Sequence, residues 1–228
     1  AMRSSRRRSR GWCDPMTRFD RQVQMLAVGT AVLAGFVDAI GFVESTGFFV
    51  SFMTGNSTRL AVGLAEWQRA APVAGAIIAV FVAGVVAGSL IGARAAARRA
   101  PAVLLCVAIL LGIAAFLRLQ TDGLEAILCL AFAMGAVNAA IEGRDGSVVG
   151  VTYMTGTLVQ MGQKIANALR GEGDRRWLHH LGLWAGLAGG AVLGARIVIW
   201  SPPLAYMLAV ALAASLALRA GWVVRRSR

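Results

Sequence analysis

Long apolar runs alternate with short polar stretches along most of the chain. Six of these runs approach the roughly 20 residues that a helix needs to cross the hydrocarbon core of a bilayer. They cover residues 23–43, 72–93, 101–117, 124–141, 178–195 and 203–218. Because they contain few or no charges, they predict membrane-spanning helices.

Two shorter segments, 48–60 and 148–160, each carry Met-Thr-Gly behind an apolar approach. The copies lie 101 residues apart, at 53–55 and 154–156. The first segment is uncharged only from 45 to 58, which is too short to cross a bilayer unaided. It is also rich in Ser, Thr and Asn, so it predicts a short broken or re-entrant helix rather than a lipid-facing span.

Other blocks recur in the same order and predict an internal duplication. Residues 35–39 match 135–139 at an offset of 100. A glycine stripe with four-residue spacing recurs at an offset of 102, as Gly84, Gly88 and Gly92 and again as Gly186, Gly190 and Gly194. Small residues at this spacing let helix backbones approach closely in a membrane. We expect the two stripes to meet each other, or each to pack on another helix of its own half.

The predicted organisation is a basic tail at 1–22, a first membrane repeat at 23–119, a second at 120–222 and a basic tail at 223–228. If the Met-Thr-Gly segments are broken or re-entrant, there are six full spans and the repeats are inverted. If both segments cross fully, there are eight spans and parallel repeats. The Lys and Arg residues are distributed more one-sidedly in the six-span arrangement, which favours inverted repeats under the positive-inside rule. Both arrangements predict cytoplasmic termini and an all-α, multi-pass protein of the bacterial inner (plasma) membrane.

Composition supports a membrane protein and argues against several other classes. The chain is 57% hydrophobic and only 15% charged, with a mean hydropathy of +0.66, so it has too little polar surface for a soluble globule. The excess of 23 Lys and Arg over 11 Asp and Glu sits mainly in tails and between apolar runs. Such clusters indicate topology signals and contacts with anionic lipid, not nucleic-acid binding. The three cysteines lack metal-ligand spacing and no nucleophile motif occurs, so we expect no metal, no cofactor and no enzymatic activity.

Asp38 is the most informative single residue, because a carboxylate within a span costs a few kcal/mol to insert. Its counterpart in the second half is Asn138, which has a similar shape without the charge. Proton or cation coupling, or pairing with Arg59, are functional interpretations. A structural hydrogen bond to a neighbouring helix is the alternative.

The Met-Thr-Gly motifs predict a solute site near the midplane. Gly weakens a helix, the neighbouring Thr and Asn side chains can cap the helix that follows, and a helix N-terminus offers N–H groups to an anion or a carbonyl oxygen. The same motif is also compatible with a tight packing turn. The predicted substrate-binding residues are Asp38, Thr54, Gly55, Asn56, Arg59, Asn138, Thr155, Gly156 and Thr157.

These motifs resemble the YoaK-type family of uncharacterised multi-spanning bacterial membrane proteins. The resemblance rests on residues 35–39, on Met53-Thr54-Gly55-Asn56 and on 153–157. It covers about residues 23–222 and implies a polytopic inner-membrane protein with about six spans. It implies no substrate.

The predicted function is a transporter or channel for a small polar solute, an anion being one candidate, with its site between the two repeats. Its partners would be the lipid bilayer and the solute, and a homo-oligomer is compatible with the sequence. The alternative is a membrane scaffold or accessory protein whose polar motifs only hold helices together. A polar midplane cavity reached from one side would favour transport, and a dry core would favour the scaffold.

Overall fold

A computed structural model describes residues 21–67, 70–121, 123–141, 152–171 and 177–226, and every regular element within these ranges is helical. Most of the predicted N-terminal tail and the approach to the second motif, 142–151, lie outside the described residues. Most of the predicted C-terminal tail is helical, since the last helix ends at Arg226. The all-α class is confirmed.

Eight α-helices are described. They are α1 (Arg21–Glu44), α2 (Met53–Ala65), α3 (Ala70–Ala95), α4 (Arg99–Gln120), α5 (Leu124–Val137), α6 (Met154–Leu169), α7 (Trp177–Trp200) and α8 (Pro202–Arg226). A short 3-10 turn, Ala96–Arg98, separates α3 from α4.

Four helical stretches among the described residues are long and apolar enough to cross a membrane: Gln22–Glu44, Ala70–Gln120, Trp177–Trp200 and Pro202–Arg226. The 51-residue stretch contains both α3 and α4. A straight helix of that length would reach about 77 Å, more than twice the hydrocarbon thickness. It instead turns at Ala96, whose φ is +46°. The shorter α5 is apolar and largely buried.

The second glycine stripe places α7 directly against α1. Backbone contacts advance together along the two helices, from Val28 with Gly186 to Val32 with Gly190 and Phe36 with Gly194. A Cβ at Gly190 would lie 2.1 Å from the Val32 carbonyl oxygen, so only glycine permits this approach. The two helices therefore run parallel.

The first stripe packs in the same way on α5. Gly84 lies against Phe132 and Gly88 against Ala136, so α3 and α5 are also parallel. Each stripe thus packs on the first helix of the opposite half. The expectation that the stripes meet each other, or pack within their own halves, is wrong.

The contacts also correct the alignment of the stripes. Val32 and Phe132 occupy equivalent positions in the repeat, because they are separated by the same offset of 100 as residues 35–39 and 135–139. Val32 contacts Gly190, and Phe132 contacts Gly84. Gly84 therefore corresponds in space to Gly190, not to Gly186. A stripe with four-residue spacing looks the same after a shift of one turn, so sequence matching cannot fix its register.

The remaining contacts set the helix directions. Helix α8 runs antiparallel to α1 and α4, since Gly29 lies against Leu216 while Tyr206 reaches Glu44, and Pro101 lies near Gly221. Helix α4 is antiparallel to α5, because its start bonds to the end of α5 and Leu110 contacts Cys129. Helices α1, α4 and α7 therefore point one way, and α3, α5 and α8 the other. Apolar side chains on the outer face of α4, including Leu105, Ile109 and Phe116, are exposed as lipid contact requires.

Candidate functional site

Asp38 anchors the backbone that leads into the first motif. It is 3% exposed, and its Oδ1 accepts hydrogen bonds from the N–H groups of Val50 at 2.9 Å and Ser51 at 2.7 Å. The side chain therefore bonds to residues 48–52, which precede the first motif and are called the approach segment here, and not to a neighbouring helix. Backbone that is neither helix nor sheet must find such partners inside a membrane, since no water is present to replace them.

These bonds show that the chain turns back into the protein after α1. Thr46 and Gly47, with φ of +56° and +112°, reverse the chain after Glu44. The Ser45 hydroxyl donates to the Gly41 carbonyl and accepts from the Phe48 N–H, which closes the turn. Residues 48–52 then run back along α1 to the level of Asp38, about 9 Å from its end at 1.5 Å per residue.

Asn56 fixes the same segment from the other side. It is fully buried, its Oδ1 accepts from the Phe49 N–H at 3.0 Å, and its Nδ2 donates to the Phe49 carbonyl at 2.6 Å. Gly55 packs against the Phe49 ring, where a Cβ would lie 2.8 Å from the nearest ring atoms. Both motif residues thus hold the approach segment in place.

Arg59 binds the turn and not Asp38. Its guanidinium lies 5.0 Å from the centre of the Phe48 ring and directly beside Gly47. Because Met53 lies at the depth of Asp38 and Arg59 at the turn, α2 leads back toward the end at which α1 finishes. The antiparallel contacts of α2 with α3, Gly63 against Ala71 and Leu60 against Gly75, agree with this direction. The interpretation of an Asp38–Arg59 pair is therefore wrong.

Asn138 has the same role in the second half. It is 8% exposed, and its Oδ1 accepts from the Thr152 hydroxyl at 3.0 Å and from the Thr152 N–H at 3.4 Å. Its Nδ2 donates to the Met134 carbonyl at 2.8 Å. Thr152 precedes the second motif as Ser51 precedes the first. A carboxylate and an amide thus perform equivalent structural work in the two halves.

The other predicted site residues lie in the first turns of α2 and α6. Thr54 and Thr155 are exposed, and Thr157 donates to the Tyr153 carbonyl. Each helix begins at the methionine of its motif. The N-cap residues are Phe52 for α2 and Tyr153 for α6, and no side-chain hydrogen bond caps either helix. The expectation that the motif Thr and Asn side chains cap these helices is therefore wrong. The chain is interrupted before Met-Thr-Gly, not within it.

The structure does not bring the two motifs into one continuous surface. Helix α2 packs on α3 and α6 packs on α7, and α2 and α6 share no extended contact among the described residues. The buried residues Asp38 and Asn56 belong to the first half, and Asn138 to the second. The predicted solute role of all nine residues stays a prediction.

Sequence reasoning missed a polar cluster where α1 ends. The Arg118 Nε lies 2.8 Å from Glu44 Oε1, and the buried Tyr206 hydroxyl donates to Glu44 Oε2 at 2.6 Å. A cavity of about 270 Å³ adjoins it, lined by Glu44, Arg118, Gly123, Ala126 and Ile127. Tyr206 was the available signal, because a tyrosine hydroxyl within an apolar run needs a partner.

The polar side chains described above can form hydrogen bonds with a polar solute. No three His, Cys, Asp or Glu side chains within the described ranges are placed to share a metal ion. Ser51 Oγ is buried beside the Asp38 carboxylate.

Comparison with known proteins identifies the family. A family model described as "Protein of unknown function (DUF1275)" matches residues 26–220. The chain is 37% identical over 201 residues to the UPF0700 transmembrane protein RA0705 of Rhizobium meliloti (strain 1021), covering 82% of this chain and 84% of that protein. No solved structure matches significantly. The resemblance to a family of multi-spanning bacterial membrane proteins is confirmed, and this membrane protein belongs to the DUF1275 family.

Proposed function

We propose that this membrane protein is a transporter or channel for a small polar solute, built from two inverted repeats of three long apolar helices each. The exception in length is α5, whose 14 residues are too short to cross the hydrocarbon unaided. The helix directions support the arrangement. In the first half α1, α3 and α4 run up, down and up, while their counterparts α5, α7 and α8 run down, up and down. An eight-span protein with parallel repeats would require α1 and α3 to be parallel, whereas they are antiparallel here.

The depth of the two interruptions is the observation that carries the proposal. Glu44 and the start of α5 line the same cavity, so they lie at one level. Asp38 is about 9 Å below that level and Asn138, fourteen residues along α5, about 21 Å below it. If Glu44 marks one boundary of a hydrocarbon core about 30 Å thick, the two anchors lie symmetrically about its midplane and about 6 Å from it. Transporters with inverted repeats place their substrate at such paired helix interruptions.

The charge distribution sets the orientation in this proposal. Arg94, Arg98 and Arg99 lie at the end of the bundle opposite Glu44, together with the start of α1 and the end of α8. In this proposal that end faces the cytoplasm, as the positive-inside rule favours, so both termini are cytoplasmic and the membrane is the inner (plasma) membrane. The first motif then follows the external end of α1, and the second follows the cytoplasmic end of α5.

In this proposal the first turns of α2 and α6 contribute separately to the solute path, α2 at the depth of Asp38 and α6 at the depth of Asn138. Asp38, Asn56 and Asn138 hold the interruptions in place, and Thr54 and Thr155 supply exposed hydroxyl groups beside them. A small polar solute, with anions as one class, matches these hydroxyl groups, which can donate or accept hydrogen bonds. No catalytic residue is assigned.

A membrane scaffold is the second candidate, and one observation favours it. The described hydrogen bonds of Asp38, Asn56 and Asn138 all join residues of the same half, so they can serve to hold the fold alone. In that case the exposed motif hydroxyls would have no role in flux.

Solute flux in liposomes tests the two candidates. Purified protein is reconstituted and assayed with a panel of small anions and neutral polar solutes. We expect Thr54→Val and Thr155→Val each to reduce flux of the transported solute severalfold. Thr58→Val is the matched control, because Thr58 is an exposed threonine one turn further along α2.

The outcomes separate the candidates clearly. Flux that falls in both motif variants but not in the control supports transport through both repeats. Flux equal to that of empty liposomes for every solute would exclude transport for that panel and favour the scaffold.

A further inference from the structure

Helix α4 carries an arginine near each end, and each arginine binds the end of the helix that precedes a Met-Thr-Gly motif in the chain. At the external end, Arg118 and Tyr206 bind Glu44, the last residue of α1. At the cytoplasmic end, the Arg99 Nε donates to the Ala139 carbonyl at 3.1 Å, just past the end of α5. We name these contacts the outer latch (Glu44, Arg118, Tyr206) and the inner latch (Arg99, Ala139).

The spacing of the two arginines matches the membrane. They are nineteen residues apart, or about 28 Å along a helix, close to the hydrocarbon thickness of about 30 Å. At the external end the Arg118 guanidinium can lie at the membrane boundary, whereas the Arg99 side chain reaches inward from the opposite boundary to the Ala139 carbonyl. One rigid helix thus contacts the start of both interruptions.

Each latch is a partly buried contact, held by surrounding side chains, and not an ion pair on the surface. The Glu44 side chain is 10% exposed and accepts bonds on both oxygens, one of them from a tyrosine that is 2% exposed. At the other end, the Arg99 side chain lies over Gly92, where a Cβ would be 2.7 Å from Nε. That glycine of the stripe leaves space for the arginine to reach a carbonyl that is free at the C-terminus of α5.

Each latch lies at one end of the helix bundle, so it can control access to the solute path from that side only. Glu44 is followed directly by the turn of the first re-entrant segment, and it borders the 270 Å³ cavity together with Arg118. Ala139 follows Asn138, the anchor of the second segment, by one residue. Opening one latch frees the end of one central helix, while the other latch remains closed.

We propose that Arg118 and Arg99 are positioning residues that close the external and cytoplasmic sides of the solute path, and that both sides are closed in this structure. The inference rests on the proposed function and names its two gates. Alternating access would require the latches to open in turn, as in transporters whose repeats move around a central site.

Side-specific cysteine labelling tests the latches without any solute. The three native cysteines are replaced by alanine, and a reporter is introduced as Ala126→Cys beside the outer latch or as Ala140→Cys beside the inner latch. Both positions are buried here, at 1% and 2% exposure. A membrane-impermeant maleimide is added to intact cells for the first reporter and to inverted vesicles for the second.

We expect Arg118→Met to raise labelling at 126 about tenfold or more, the effect of losing a hydrogen bond between charged groups, and to leave 140 unchanged. Arg99→Met should do the reverse. Tyr206→Phe, which removes one hydroxyl and keeps the ring, should raise labelling at 126 more modestly. Arg98→Met, an exposed neighbour of Arg99, should change neither reporter.

A purely structural role for the arginines predicts a different pattern. Equal labelling increases at both reporters in either variant, or no increase in any variant, would overturn the latch proposal. Side-specific labelling without flux would overturn transport and leave the latches standing. Flux in liposomes without side-specific labelling would overturn the latches alone.

Discussion

Replacing Asp38 with alanine should release the first re-entrant segment. Two buried N–H groups, of Val50 and Ser51, lose their acceptor. Each unsatisfied buried donor costs about 1–3 kcal/mol, so Asp38→Ala should lower the free energy of unfolding by about 2–6 kcal/mol.

The amide at Asn138 provides a natural comparison, because it supports the second segment without a charge. Asp38→Asn keeps an acceptor for both donors and loses only the charge assistance, at about 1 kcal/mol per bond and about 2 kcal/mol in total. Asn138→Ala frees one N–H that is bonded at 3.4 Å and one rotatable hydroxyl, so a loss of about 1–2 kcal/mol is expected.

Unfolding of purified protein by SDS in mixed micelles, followed by circular dichroism, measures these differences. The expected order of stability is wild type, then the Asp38→Asn and Asn138→Ala variants, then Asp38→Ala. If Asp38→Ala unfolded at the wild-type SDS fraction, Asp38 would not anchor the segment. If Asp38→Asn were as unstable as Asp38→Ala, the negative charge rather than the acceptor geometry would be responsible.

Three further predictions use the same measurement. Gly84→Ala places a Cβ 2.1 Å from a carbonyl oxygen of α5 and should lower the free energy of unfolding by at least about 1–3 kcal/mol. Gly189→Ala is the control and should be neutral, because there is open space around Gly189. Equal effects of the two substitutions would refute the packing argument. Asn56→Ala leaves the Phe49 N–H and carbonyl unpaired and should cost about 2–4 kcal/mol, while the exposed Thr54→Ala should cost under about 0.5 kcal/mol; a neutral Asn56 variant would contradict this. Arg59→Met removes a cation above Phe48 and should cost about 0.5–1 kcal/mol, with Arg59→Lys recovering part of the loss; an unchanged stability in the methionine variant would count against the contact.

Local chemistry made several features predictable. An apolar run long enough to cross hydrocarbon is favourable only in a membrane, so the helical class followed from residue order alone. The short polar Met-Thr-Gly segments likewise indicated an interruption. The start of α2 at Met53 was not predictable, because the residues that interrupt the chain, 45–52, are recognisable only by the side chains that hold them.

The sequence by itself determined that this is a helical membrane protein with two Met-Thr-Gly segments and an acidic residue inside an apolar run. It could do so because the cost of placing a helix in lipid depends on which residues follow one another along the chain. The tertiary structure decided the partners. Asp38 bonds to Ser51 because a reversal of the chain brings them together, and the glycine stripes pack across the halves because close backbone approach is a property of two helices. Neither contact can be read from residue order, because it depends on which parts of the chain lie next to each other in the folded protein.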